Sequence, residues 1–141
     1  MLVQTPARQQ DAYGSGEYGA PRGSRKHKGI DYACCVDSRV FSPVVGLVSK
    51  LGYAYEDDLA FRYVQVTTED GYNVRVFYID PTIPIGHRVN KNSLIGTSQD
   101  LQVRYPKDQD HKTAITNHVH VEVFKLKEGR KRYINPLEYL S

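Results

Sequence analysis

Near the end of the chain, seven consecutive residues, His118-Val119-His120-Val121-Glu122-Val123-Phe124, alternate without a break. Successive side chains of a strand point to opposite faces, so the three valines share one face and His118, His120 and Glu122 share the other. The valine face is the predicted core. The opposite face then carries two imidazoles about 6–7 Å apart along the strand. The rest of the chain from residue 25 reads in the same period. Val40–Val48 is β-branched with one Pro and one Gly, which suits a single bent or edge strand. Phe61–Thr67 and Tyr72–Ile79 alternate on either side of Glu69-Asp70-Gly71, whose Asp-Gly pair signals a hairpin. Gly86–Val89 and Ser93–Thr97 flank a turn at Asn90-Lys91-Asn92. Residues 104–117 form a long polar loop. His118–Phe124 is expected to pair with Lys131–Ile134 through Lys127-Glu128-Gly129-Arg130, and Pro136–Leu140 is at most a short helix. No segment sustains a 3.6-residue period and no internal repeat is present, so the predicted fold class is all-β.

With 141 residues, 40% hydrophobic and 25% charged, the chain has the makings of one core, which excludes wholesale disorder. No run approaches the roughly 18 apolar residues of a membrane-spanning helix. Nineteen basic residues against sixteen acidic ones give +3, too little to make nucleic acid the main ligand. The excess concentrates in residues 125–132, where Lys125, Lys127, Arg130, Lys131 and Arg132 face only Glu128. That cluster reads as a solvated hairpin or as a contact to an acidic surface such as a bacterial cell wall. The only cysteines, Cys34 and Cys35, are adjacent, a placement that disfavours a mutual bridge and offers no disulfide framework. They read as reduced packing residues. The first 24 residues carry Gly14, Gly16, Gly19, Gly23, Pro6 and Pro21 and read as an irregular arm, leaving residues 25–141 as the β domain. The N-terminus lacks the basic start, apolar stretch and cleavage site of a signal peptide, so the expectation is a product made in the cytoplasm.

Five histidines are the chemically informative residues: His27, His87, His111, His118 and His120. In His27-Lys28-Gly29-Ile30-Asp31 the glycine permits a sharp turn that aims His27 and Asp31 at one point. With one histidine from the later strand they make two imidazoles and a carboxylate, the three-ligand set of a catalytic zinc site with its fourth position open. A His–Asp hydrogen bond that merely staples a loop is the alternative for His27 and Asp31 alone.

The order His27-x-x-x-Asp31, Val40-Phe41-Ser42-Pro43-Val44-Val45-Gly46-Leu47-Val48, Gly86-His87-Arg88-Val89, Leu94-Ile95-Gly96 and His118-Val119-His120 resembles the lysostaphin/LytM-type zinc metallopeptidases. These enzymes cut peptide cross-links in bacterial cell walls. The likeness spans about residues 22–124. Phe77–Pro81, Leu101–Pro106, Asn117–Glu122 and Pro136–Leu140 are closer to the leukocyte cell-derived chemotaxin 2 branch, a zinc-binding relative in animals. The resemblance implies a compact antiparallel sheet curled into a half-open groove, the duplicated hybrid motif of the family, with Zn2+ on its floor. It implies His27, Asp31 and His120 as zinc ligands and His118 as the catalytic histidine. Glu122 then orients His120 or faces solvent, the simpler expectation. Loops 52–60 and 104–117 would rim the groove.

One departure bears on activity. Family enzymes carry a further histidine in a Tyr-x-His-Leu context, and here that place is taken by Ile79. Tyr78 is adjacent, but alternation sends it to the opposite face. His111, in the loop before the metal strand, is the candidate to reach across the cleft in compensation, against the simpler reading of a solvent-exposed loop histidine; His87 reads as a surface residue. The expected function is a peptidoglycan endopeptidase, a phage lysin or virion-associated protein that meets virion partners through its arm. The alternative is a catalytically impaired zinc-binding module of a larger assembly.

Overall fold

The computed structural model describes residues 8, 10–22 and 25–140. Twelve strands and one helix follow in order among them: β1 Pro21–Arg22, β2 Arg25–Lys26, β3 Ile30–Ala33, β4 Arg39–Phe41, β5 Gly46–Tyr53, β6 Arg62–Thr67, β7 Asn73–Phe77, β8 Ile79–Pro81, β9 Arg88–Val89, β10 Leu94–Ser98, β11 His118–Lys127, β12 Arg130–Ile134 and α1 Pro136–Leu140. The all-β reading holds. The large sheet runs β12-β11-β7-β6-β5-β9, and a smaller one runs β4-β10-β8.

The alternating valines decide where the core sits. Val48, Val64, Val66, Val74, Val76, Val121 and Val123 are fully buried, as their strands' period requires. They meet Val40, Ile79 and Ile95 of the small sheet in one apolar cluster. The other face of the large sheet is the groove. Phe61, Leu101 and Ile115 form a second cluster against Tyr13, Tyr55, Tyr78 and Tyr105 along one wall.

β11 is the hub. β7 takes one of its edges, while β3 and β12 share the other end to end, β3 opposite His118–Val121 and β12 opposite Val123–Lys127. The β11–β12 connection turns on Glu128 and Gly129, at φ of 54° and 76°. Two consecutive positive values define the hairpin turn whose twist suits its strands.

Two expected strands are each divided. Val40–Val48 gives β4 to the small sheet and begins β5 in the large one, with the chain turning at Pro43, which has no N–H to offer a ladder. Tyr72–Ile79 likewise crosses from β7 to β8 at Tyr78, whose φ is +70°. Both thiols are free, Cys34 half-buried and Cys35 exposed. Among the described residues no helix is long and apolar enough to cross a membrane.

Candidate metal centre

Register brings the first two ligands together. Asp31 of β3 lies directly opposite His120 of β11. The Asp31 backbone points away from β11: its N–H donates to the Gly16 carbonyl at 2.9 Å and its carbonyl accepts from the Arg8 N–H at 2.6 Å. Asp31 and His120 therefore form a non-hydrogen-bonded pair, the closer of the two antiparallel kinds. Their side chains meet with His120 Nδ1 at 2.7 Å from Asp31 Oδ1. Gly29 makes room for this approach, since a Cβ there would lie 2.2 Å from the Val121 carbonyl and 2.8 Å from the His120 ring. Its contribution is close packing against β11.

His27 completes the group from the end of β2. Its Nδ1 donates to the Glu17 carbonyl at 2.9 Å, so its Nε2 presents a lone pair. That nitrogen lies 3.0 Å from His120 Nδ1 and 3.2 Å from Asp31 Oδ1. Four ligands at zinc–nitrogen bond lengths stand about 3.3 Å apart around a tetrahedron. Two imidazole nitrogens and one carboxylate oxygen at 2.7–3.2 Å from one another fit that ion.

The remaining atoms of the trio are all engaged. Asp31 Oδ2 accepts from Arg8 Nη1 at 2.6 Å, which leaves Oδ1 as the single inward oxygen. Arg8 itself is 3% exposed and clamps Asp11 with Nε and Nη2, both at 3.0 Å. Burial would raise Asp11, yet the bonds from Arg8 and from the Thr116 and Tyr13 N–H groups hold it at about 2. His120 Nε2 donates to Glu122 Oε1 at 3.0 Å. Of the two alternatives for Glu122, the structure gives the one in which it orients His120 and not the one in which it faces solvent: it fixes the ring so that Nδ1 faces the site. Glu122→Gln is expected to weaken zinc affinity about 10- to 100-fold, measured by competition with a chromophoric chelator.

Without metal, burial alone would lower His120, but its bonds to Asp31 and then Glu122 carry it up to about 9. Burial likewise opposes ionisation of Asp31, and the bonds from His120 and His27 overcome it, leaving the carboxyl well below the usual range. His118 differs. Its Nδ1 donates to the Thr116 carbonyl at 2.7 Å, and its Nε2 lies 3.4 Å from Asp31 Oδ2. Burial pushes it down to about 4 against the pull of Asp31. That favours the neutral imidazole, with Nε2 beside Asp31 at the edge of the trio.

A cavity of about 480 Å³ opens over these groups, with Tyr55, Tyr78 and Tyr105 on its wall. Tyr78 corrects the alternation argument. Its left-handed backbone lets it join Phe77 on the groove side, edge-on to His118 at 5.5 Å, and leaves Ile79 fully buried in the core. The Tyr78 hydroxyl meets that of Tyr55 at 3.2 Å, and Tyr55 meets Tyr105 at 2.6 Å. His111 is not brought to the trio. Its ring stacks on Tyr13 at 3.8 Å and its Nδ1 bonds Asp108 at 2.8 Å. The polar loop is tied down at that point and has no reason to reach inward. His87 is exposed, as expected. Arg8 and Asp11 are the site residues that sequence reasoning missed; the one signal is the Arg8-x-x-Asp11 spacing, which sets both charges on one turn.

No family model matches the chain. Leukocyte cell-derived chemotaxin-2 of Mus musculus is 34% identical over 112 residues, 79% of this chain and 69% of the relative. Among solved structures, a mutant catalytic domain of the prophage-encoded M23 protein EnpA from Enterococcus faecalis superposes with a TM-score of 0.66 at 19% identity, covering 89% of each chain. Lysostaphin from Staphylococcus simulans gives 0.62 at 17% identity over 90% of this chain and 48% of that one. A zinc-containing peptidase from Vibrio cholerae gives 0.55 at 20% identity over 90% of this chain and 36% of that one. The curled sheet is the fold these structures share, and the sequence match to the chemotaxin extends over most of both chains. By fold and by sequence, then, the chain belongs to the lysostaphin/LytM-type M23 family, on the branch that includes leukocyte cell-derived chemotaxin-2.

Proposed function

We propose that this chain is a zinc-dependent endopeptidase acting on the peptide cross-links of bacterial peptidoglycan. The observation that carries the reading is His118. It is buried beside the ligand trio, its pKa is held down by burial, one nitrogen is anchored on the Thr116 carbonyl, and the other stands 3.4 Å from Asp31 Oδ2 in the lining of the cavity. An anchored imidazole with a free lone pair is suited to accept a proton from an attacking water and return it to the leaving amine. Zinc, when bound by His27, Asp31 and His120, supplies a Lewis acid that polarises a peptide carbonyl and acidifies water. Arg8 and Glu122 hold Asp31 and His120 in their ligating orientations. The fold shared with wall peptidases supports the substrate class. The prophage origin of one structural neighbour supports a phage lysin or virion-carried protein, made in the cytoplasm and delivered with the virion or on lysis.

Ile79 favours a second reading. Where family enzymes have a histidine, this chain has a fully buried core residue, and loss of one such stabilising group costs about 100- to 1,000-fold in rate. On that reading the domain is a zinc-stabilised binding or structural module of a larger assembly. Turnover separates the two. Zinc-loaded protein is expected to release new amino groups from purified peptidoglycan slowly. His118→Ala should abolish the release while one zinc per chain is retained. Absence of release from several wall chemistries would leave only the second reading standing.

A further inference from the structure

The groove face of the large sheet leads away from the metal centre in rows set by strand register. His120, Phe77 and Tyr63 make the row at the centre. Glu122, Arg75, Gln65 and Lys50 make the next row, one pleat further along the same strands. Arg75 is held there by three contacts. Its guanidinium lies over the Tyr63 ring at 4.6 Å and the Phe124 ring at 5.0 Å, and its Nε donates to Gln65 Oε1 at 2.7 Å. Glu122, its register partner, turns instead to His120. Among the described residues, the two terminal nitrogens of Arg75 therefore have no hydrogen-bond acceptor and no carboxylate partner.

Other cations gather round it. Lys50 stands over Tyr63 at 5.9 Å, Lys131 over Phe124 at 5.1 Å and Lys28 over Tyr133 at 5.0 Å. None of the three forms an ion pair among the described residues. Lys131 sits below its ordinary pKa, from partial burial first and then from the charge of Arg75, with Lys50 and Lys28 adding to it. Four cations crowd this end of the groove, and Glu122, the one carboxylate acting on Lys131 against them, is bonded to His120.

We infer that Arg75 recognises a free carboxylate on the bound peptide, so the groove selects stem peptides that keep a carboxylate about two residues from the bond at the metal centre. The inference rests on the peptidoglycan reading of the same groove. A strand rises about 3.3 Å per residue, so one pleat on the protein matches two residues of an extended ligand beside it. A planar guanidinium whose Nε is already fixed offers its remaining N–H groups as a pre-set fork, the geometry that pairs with a planar carboxylate. The buried rings of Tyr63 and Phe124 hold the guanidinium in place from beneath, and half-buried Phe77 gives the row at the centre an apolar surface that suits an extended peptide. Amidated stems and all-glycine bridges lack the partner and are expected to bind less well.

The test is a binding measurement that needs no turnover. Zinc-loaded protein in the His118→Ala background is titrated calorimetrically with two synthetic stem peptides, identical except that one carboxylate is free or amidated. The free form is expected to bind about tenfold more tightly or better, as for hydrogen bonds to charged groups, and the difference should shrink with added salt. Arg75→Gln is expected to bring the two peptides within twofold, Arg75→Lys to keep part of the preference, and Lys131→Gln to weaken it slightly while leaving it in place. Equal affinity of the unsubstituted groove for both peptides overturns the inference, and this needs no variant to fold. A preference that survives Arg75→Gln overturns it too, as does tighter binding of a wall phosphodiester polymer than of either peptide. Carboxylate preference without wall cleavage by the native protein would support this inference while sinking the catalytic reading. Cleavage without the preference would do the reverse.

Discussion

Replacing Arg8 by methionine is expected to lower the melting temperature of the metal-free protein by on the order of 10 °C. Arg8 is almost wholly buried and satisfies two carboxylates at once, Asp31 through Nη1 and Asp11 through Nε and Nη2, as well as the Gly14 carbonyl. Methionine fills similar space but leaves both acids buried without their cation. Removing one partner of a buried charge pair typically costs about 3–5 kcal/mol. For a chain of this length each kcal/mol moves the midpoint by roughly 2–4 °C. Zinc should restore part of the loss, because the ion neutralises Asp31 and leaves Asp11 unanswered. Arg8→Lys should fall between, keeping the charge but losing the fork. Calorimetry with and without chelator checks this. A shift below about 3 °C would show that the arm adds nothing to the fold.

The second large effect is a stability maximum near pH 6.5 in the metal-free protein. His118 titrates at about 4 when folded against 6.5 in an unconstrained chain. Its contribution is present above 6.5 and is lost as pH falls toward 4, since only the unfolded state then takes up the proton. His120 titrates at about 9 when folded. Its contribution is present below 6.5 and is lost as pH rises toward 9, since the folded state alone has been keeping the proton. Each limb slopes by about 1.4 kcal/mol per pH unit, one proton's worth. Asp31, held low, steepens the loss below its ordinary range of about 4. Melting temperatures from pH 4 to 10 in chelator should trace a peak. His118→Ala should flatten its acid side and leave the alkaline side in place. A curve that rises or falls throughout would refute the assignment.

What could be seen in the sequence is what depends on local period and spacing. His118-Val119-His120-Val121-Glu122-Val123 declared a strand, its core face and its polar face, because a half-buried strand leaves no other choice. His27 and Asp31, four apart around a glycine, declared a converging pair. The errors lie where the tertiary structure overrules the period. Tyr78 takes a left-handed backbone that a bulky residue seldom adopts, so alternation placed it on the wrong face. For Glu122 the sequence leaves two alternatives open, because its partner, the Nε2 of His120, appears only once the ring orientation is known. Arg8 lies 23 residues from Asp31 in a segment without periodicity, and no local rule links them.

The two-sided pairing of β11 also determines how the centre breathes. Asp31 and His120 stand on backbone held along both edges, by β7 on one side and by the Arg8 and Gly16 main chain on the other. Amides in such a place trade their hydrogens for solvent deuterium only when the whole sheet opens. His27 follows the exposed two-stranded β1–β2 ribbon and extends its pairing, its N–H donating to the Ala20 carbonyl at 2.8 Å and its carbonyl accepting from the Gly19 N–H at 2.9 Å. Exposed strands with few buried contacts open more readily than a sheet centre, so the ribbon's amides are expected to exchange before those of β11. The candidate ligands thus divide between two parts of unequal stability, Asp31 and His120 on the sheet and His27 beside the ribbon, and loss of an ion held by the three is expected to keep pace with exchange at His27 rather than at His120.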